Sequence, residues 1–121
     1  MSKLIYCATP ARLSTKRKEI MDFVTNQKLG PFHPFQAFEW ERFEGGPIGR
    51  DKTMEFCKRA VEICDEFWLF GISEGTLTEL QHAIKKNMKI RLFQDKYDPE
   101  WKLYYEKLSL KYNNPLQNFQ I

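Results

Sequence analysis

The fold of this 121-residue chain is decided by one strand-to-helix stretch, residues 67–80, which reads FWLFGISEGTLTEL. Residues 67–70 are a continuous apolar run, which is typical of a short strand buried on both faces. Gly71 ends this run, and a helix is predicted over residues 76–86, with an inward side formed by Leu77, Leu80 and Ile84. A buried strand that leads into an amphipathic helix is the repeating unit of parallel sheets.

The same alternation extends toward the N-terminus. Residues 4–8 form a second short apolar run that stops at a proline. A helix capped by Ser14 is expected next. Residues 32–36 are predicted to be an extended segment, and Pro34 places this segment at the edge of the sheet because proline cannot donate a hydrogen bond to a neighbouring strand. Residues 37–50 are irregular and aromatic, and a charged helix with one apolar stripe begins near Asp51.

Toward the C-terminus, residues 88–93 alternate apolar with basic side chains, as expected for an edge strand. A last helix is predicted to begin near Asp98, and the tail after Asn113 is expected to be loosely held. The chain is therefore predicted to be one α/β domain over residues 1–121. We expect a flavodoxin-like three-layer sandwich with a four- or five-stranded, mostly parallel sheet, whose first and third strands are central.

Composition narrows the class of protein. The apolar fraction of 42% is high enough for a folded core, and the net charge of +3 is too small for a dedicated nucleic-acid binder. The densest basic run, residues 16–18, is more typical of a solvated helix face. Three cysteines without a CxxC pair indicate a reduced, cytoplasmic protein, and no stretch has membrane-spanning length.

We expect no metal or cofactor, because the two histidines lie outside any recognisable metal-ligand spacing. A small domain of this size leaves much apolar surface near solvent, so a homo-oligomer is also expected.

Ligands of open parallel sheets bind beyond the carboxyl ends of the strands, so two loops are candidates for a site. The loop after the first strand provides one wall, with candidate residues Thr9, Pro10 and Arg12. The loop after residues 67–70 provides a cradle, in which Ser73 and Thr76 offer hydroxyls and Gly75 allows close approach to the backbone. The amide groups at the start of the following helix can bind an anion or sugar hydroxyls.

Glu79 lies one turn inside that helix. A carboxylate in this place can accept hydrogen bonds from ribose hydroxyls or attack an anomeric carbon. It can equally be an ordinary helix-start carboxylate that the helix dipole favours. The residues alone leave both interpretations open.

The stretch from Cys64 to Leu80, continued by Ala83 and Ile90, resembles the signature half of the nucleoside 2-deoxyribosyltransferase family. That family has a Ser/Asp-x-Gly-Thr-x-x-Glu turn, which Ser73 to Glu79 match, and its first strand is similar to residues 5–10. The resemblance implies that Glu79 is a nucleophile and that Ser73 and the amides near Gly75 contact sugar or phosphate. It implies transfer or hydrolysis of the N-glycosidic bond of a nucleoside or nucleotide.

One family residue is replaced. The aspartate that assists the leaving base lies about eight residues before the position of Asp65, and this chain has Cys57 there. A non-catalytic module that binds or sequesters nucleotides is therefore an alternative. The same turn also resembles that of the lysine-decarboxylase-like nucleoside monophosphate phosphoribohydrolases, which implies a second alternative, release of a base from a nucleoside monophosphate. Those proteins have Pro-Gly-Gly before the turn, whereas residues 71–74 here read GISE.

An aromatic group precedes the charged helix and consists of Phe35, Phe38, Trp40 and Phe43. These side chains can stack on a nucleobase. They can also form a satellite core or a contact between subunits.

Overall fold

Four parallel strands form one sheet in a computed structural model, which describes residues 2–119. The strands are β1 (Leu4–Ala8), β2 (Gly30–Phe32), β3 (Glu66–Leu69) and β4 (Lys89–Leu92). Their order in the sheet is β2-β1-β3-β4, so the two apolar runs of the sequence are the central strands, as predicted. The expected flavodoxin-like α/β sandwich is confirmed, with four strands that are all parallel.

Within residues 2–119, six α-helices connect and cover the strands. They are α1 (Arg17–Thr25), α2 (Pro34–Ala37), α3 (Arg50–Ile63), α4 (Glu74–Lys85), α5 (Gln94–Tyr97) and α6 (Trp101–Leu108). Two 3₁₀ segments, Ala11–Lys16 and Pro115–Phe119, follow β1 and α6. Within the described part of the chain, no helix is both long and apolar enough to cross a membrane.

The side chains of the central strands alternate between two hydrophobic layers. Tyr6 and Phe67, which are register partners, pack on one face with α3, α4 and the C-terminal segment. Cys7 and Trp68, the next partners along, pack on the other face with α1. All four side chains are fully buried, which explains why these strands are apolar on both faces.

Three local predictions are wrong. Residues 32–36 do not continue as an extended edge, because β2 ends at Phe32 and Pro34 occupies the first turn of α2, a position where its missing N–H is not needed. Ser14 lies inside a 3₁₀ segment and does not cap α1, which begins at Arg17. The C-terminal tail is packed as far as the structure describes it, since Leu116 is only 2% exposed.

Candidate functional site

A cavity of about 370 Å³ opens at the carboxyl ends of β1 and β3, where the two candidate loops meet. Its walls come from both loops, from the aromatic segment that includes α2, and from α3 and α6. The predicted residues that line it are Thr9, Ser73, Gly75, Thr76 and Glu79. The fold therefore brings together five of the seven site residues expected from the sequence.

Glu79 is the buried carboxylate of this cavity. Its residue is only 4% exposed, and its Oε2 accepts a hydrogen bond of 2.7 Å from the Tyr6 hydroxyl. Burial raises the pKa of Glu79 to about 7, although hydrogen bonds from Tyr6 and Cys57 act in the opposite direction. The carboxyl group therefore titrates near neutral pH, in the range where a carboxylate can serve as an acid, a base or a nucleophile.

The turn before Glu79 is held by a reciprocal cap. The Thr76 amide donates to Ser73 Oγ at 3.1 Å, and the Ser73 amide donates to Thr76 Oγ1 at 2.8 Å. This capping box satisfies two amides at the start of α4. The hydroxyls of Ser73 and Thr76 thus fix the turn while they line the cavity.

The two glycines of the turn have different roles. A Cβ added at Gly71 would lie 2.7 Å from Pro10 Cδ and 2.9 Å from a methyl group of Leu13, so only glycine allows the two loops to pack this closely. A Cβ at Gly75 would meet Ser73 Oγ at 3.7 Å, which is ordinary contact. The backbone of Gly75 is also helical, so the protein itself does not require glycine there.

Pro10 and Arg12 lie outside the cavity lining. Pro10 packs on Gly71, whereas Arg12 donates to both carboxylate oxygens of Asp98 at 2.7 and 2.8 Å and to the Ile72 carbonyl at 2.6 Å. Asp98 is fully buried, and it also accepts from the Ile72 amide at 2.9 Å. Burial alone would raise the pKa of Asp98, but the hydrogen bonds from Arg12 and Ile72 lower it below its ordinary value. The structure therefore gives Arg12 a supporting role beneath the turn.

The aromatic wall consists of Phe35, Phe38 and Trp40, which all line the cavity. Trp40 is 57% exposed, so its ring stands at the rim with a free surface. Phe43 does not line the cavity, because it packs against Phe38 at a ring distance of 5.0 Å and against Phe56 at 6.2 Å. Of the four aromatic residues considered from the sequence, three can therefore contact a ligand and one anchors the wall.

Several residues in or beside the cavity were missed by the sequence analysis. Tyr6 gives only a weak signal, a polar-tipped aromatic residue in an otherwise apolar strand. Glu44 and Arg50 come from the irregular segment and the start of α3, where local patterns do not indicate side-chain direction. The wall from α6, with Tyr104 and Lys107, depends on how that helix packs and gives no sequence signal.

Cys57 occupies a central place beside the carboxylate. It lines the cavity, is 5% exposed, and its thiol interacts with both Tyr6 and Glu79. Burial, followed by the charge of Glu79, raises the pKa of the thiol well above its usual range. The thiol is therefore a neutral neighbour of Glu79. Among residues 2–119, no three His, Cys, Asp or Glu side chains are arranged to hold a metal ion.

Comparison with known proteins gives a family for this chain. Residues 4–93 match the model of a family described as a domain of unknown function, DUF7768, and the chain belongs to that family. The match spans all four strands and includes the turn from Ser73 to Glu79. No curated protein matches the sequence.

Proposed function

We propose that this DUF7768 protein cleaves or transfers the N-glycosidic bond of a nucleoside or nucleotide, with Glu79 as the nucleophile. One observation carries the proposal: a buried carboxylate borders a cavity of about 370 Å³ and is held by a hydrogen bond of 2.7 Å from Tyr6. A volume of this size fits a small ligand. The resemblance of residues 73–79 to the signature turn of nucleoside 2-deoxyribosyltransferases supports the same role for Glu79.

The reaction would proceed in two displacements. An oxygen of the Glu79 carboxylate attacks C1′ of the sugar, and the electron pair of the C1′–N bond leaves with the base, which takes a proton from water. The resulting glycosyl ester is then attacked at C1′ by water or by a second base, which restores the carboxylate. Ser73, Thr76 and the space left by Gly75 would hold the sugar, while Phe38 and Trp40 would stack on the base.

Lys107 supports a related form of the same function. Its side chain lines the cavity on the wall from α6. A lysine in such a place can bind the phosphate of a nucleoside monophosphate, which is the substrate class of the phosphoribohydrolases that share the Gly-Thr-x-x-Glu turn. We therefore include 5′-monophosphates among the candidate substrates.

A non-catalytic nucleotide-binding module is the second candidate. Cys57 favours it, because a buried thiol with a raised pKa cannot protonate a leaving base as a carboxylic acid would.

The three described cysteines are free and buried, which fits a reducing cytoplasm. Exposed apolar side chains such as Leu110, which is 83% exposed, fit a homo-oligomer.

The test is base release from a panel of nucleosides, deoxynucleosides and their 5′-monophosphates, followed by chromatography. We expect Glu79→Gln to lower the rate by about a thousandfold or more, because the amide is not a nucleophile. The matched control is Glu66→Gln, a second buried glutamate, which is 5% exposed and bound to Lys3 and Trp68. It lies on β3, away from the cavity lining, and should keep the wild-type rate.

Two results would count against the enzyme. Full base release by Glu79→Gln would remove this residue from the reaction. Binding without release by the wild-type protein would favour the non-catalytic module.

A further inference from the structure

The cavity contains an ion pair that the proposed reaction does not use. Arg50 Nη1 donates to Glu44 Oε1 at 2.6 Å, and both side chains line the cavity. The side chain of Glu44 is 23% exposed and that of Arg50 is 57% exposed, so the carboxylate is the less solvated of the two groups. An isolated surface ion pair adds little to stability, but one that faces a ligand cavity can recognise a ligand.

Aromatic packing and a backbone hydrogen bond anchor the segment that carries the pair. Phe43, which precedes Glu44, packs against Phe38 and Phe56, and its carbonyl accepts from the Gly49 amide at 2.8 Å. Arg50 is the first residue of α3. The ion pair is thus attached to the aromatic wall that includes Phe38, where a stacked base would lie.

The pair lines the same cavity as the buried carboxylate of Glu79. The pKa of the Cys57 thiol is raised mainly by burial and then by the charge of Glu79, and the charge of Glu44 adds to this effect. Cys57, which lines the cavity together with both glutamates, also interacts with Glu79. A nucleoside that fills this cavity with its sugar beside Glu79 can therefore place its base against Glu44.

The hydrogen-bonding chemistry of the pair selects among bases. A guanidinium only donates and a carboxylate only accepts, so the pair presents donors beside two acceptor oxygens. The edge of guanine presents the complement: the acceptor O6, followed by the donors N1–H and N2–H₂. Hypoxanthine lacks the N2 amino group. Cytosine places one donor on the carboxylate and its acceptors on the more exposed guanidinium, where contacts are more strongly screened.

We propose that Glu44 and Arg50 recognise the base edge and make this site selective for guanine nucleosides or nucleotides. The inference deepens the proposed function and rests on it for the placement of the sugar beside Glu79. Glu44 accepts N1–H and N2–H₂, Arg50 donates to O6, and the aromatic wall stacks on the ring. Glu44 is then a specificity-determining residue, whereas Glu79 performs the chemistry.

The experiment compares deoxyguanosine with deoxyinosine, which differ only by the N2 amino group, and includes deoxycytidine as a competitor. Binding is measured by calorimetry, and free base is quantified in the same samples. We expect the wild-type protein to bind deoxyguanosine on the order of tenfold more tightly than deoxyinosine. Glu44→Gln should abolish this difference, since the amide nitrogen cannot accept a hydrogen bond.

Two further variants complete the design. Glu39→Gln is the matched control, because Glu39 pairs with Arg42 in the same segment and neither residue lines the cavity. It should keep the wild-type preference. Arg50→Gln should weaken deoxyguanosine and deoxyinosine equally, because both bases carry O6, and it tests the pair even if Glu44→Gln fails to fold.

The outcomes separate this inference from the proposed function. Equal binding of the two purines, tighter binding of deoxycytidine, or a guanine preference that survives Glu44→Gln would overturn it. Guanine preference that depends on Glu44 but comes without base release supports it and counts against glycosidic cleavage. Base release with no preference among bases would support glycosidic cleavage and count against the selectivity for guanine.

Discussion

Glu79 is a carboxylate that the fold keeps away from water, and this burial determines when the group ionises. Its pKa is about 7, against an ordinary value of 4.5. Between these two values the folded protein retains a proton that the unfolded chain has released. The free energy of unfolding is therefore expected to fall as pH rises through this interval, because the unfolded state binds fewer protons there.

This linkage predicts the behaviour of Glu79→Gln. From pH 4 to pH 8 the variant should gain stability relative to the wild type, by at most about 3 kcal/mol for a pKa that rises from 4.5 to about 7. Urea unfolding of both proteins at several pH values measures the difference. Buried His33, with a pKa lowered to about 4, has the opposite effect on each protein and cancels in the comparison. A difference that stays constant with pH would mean that folding does not shift the pKa of Glu79.

At the scale of elements, the corner between β3 and α4 depends on one glycine more than on the other. Gly71 brings the corner against Pro10 and Leu13, whereas Gly75 faces the cavity from the first turn of α4. From the sequence, Gly75 is predicted to allow a ligand close to the backbone. The structure shows that close packing of two loops is the stricter requirement, and it applies to Gly71.

We therefore expect the two alanine variants to differ. Gly71→Ala should destabilise the protein by about 1–3 kcal/mol, because the added methyl group overlaps Pro10. Gly75→Ala should leave stability unchanged or raise it by up to about 1 kcal/mol, since alanine favours a helix. Thermal and urea unfolding test both values. Equal destabilisation would contradict the packing argument, and weaker nucleoside binding by Gly75→Ala alone would show that this glycine leaves room for a ligand.

At the scale of the whole molecule, the ion pair of Arg12 and Asp98 joins parts of the chain that are 86 residues apart. Arg12 follows the first strand, Asp98 follows the last, and both bind the backbone of Ile72 in the corner between β3 and α4. One pair of side chains thus connects the 3₁₀ segment, the corner and the C-terminal part. This connection holds the turn that carries the site residues against two other parts of the chain.

Removing Arg12 should therefore be costly. Arg12→Met leaves the fully buried carboxylate of Asp98 without its partner and should destabilise the protein by about 3–5 kcal/mol. Arg91→Met is the control, because Arg91 is exposed and only stacks on Trp68 and Phe93. The double variant with Asp98→Asn should recover part of the loss. Equal stability of the two arginine variants in urea unfolding would contradict this role.

The sequence predicts the architecture well because apolar runs reflect burial directly. β1 begins and ends where its run does, and β3 is displaced by one residue. The error at Pro34 arose because proline is compatible with both an edge strand and a first helical turn. Here the His33 side chain, which accepts from the Phe35 amide, and the proline together start a helix.

The site is only partly predictable for a different reason. Thr9, Ser73 and Glu79 follow the ends of strands, so topology alone brings them together. The position of the Arg12 side chain is set by its ion pair with Asp98. The position of Glu44 is set by its ion pair with Arg50, at the start of α3. Such pairings are set by tertiary packing, for which a single sequence has no periodic signal.

The bond between Tyr6 and Glu79 spans 73 residues and has a consequence for the growing polypeptide. The central strand β1 is synthesised well before its neighbour β3 and the carboxylate that accepts this bond. A nascent chain can join β1 to β2 through α1, but the opposite edge of β1 must wait. Closing so long a loop is slow, so docking of β3 is expected to limit the rate of folding. A fragment that ends before Glu79 cannot form the bond to Tyr6.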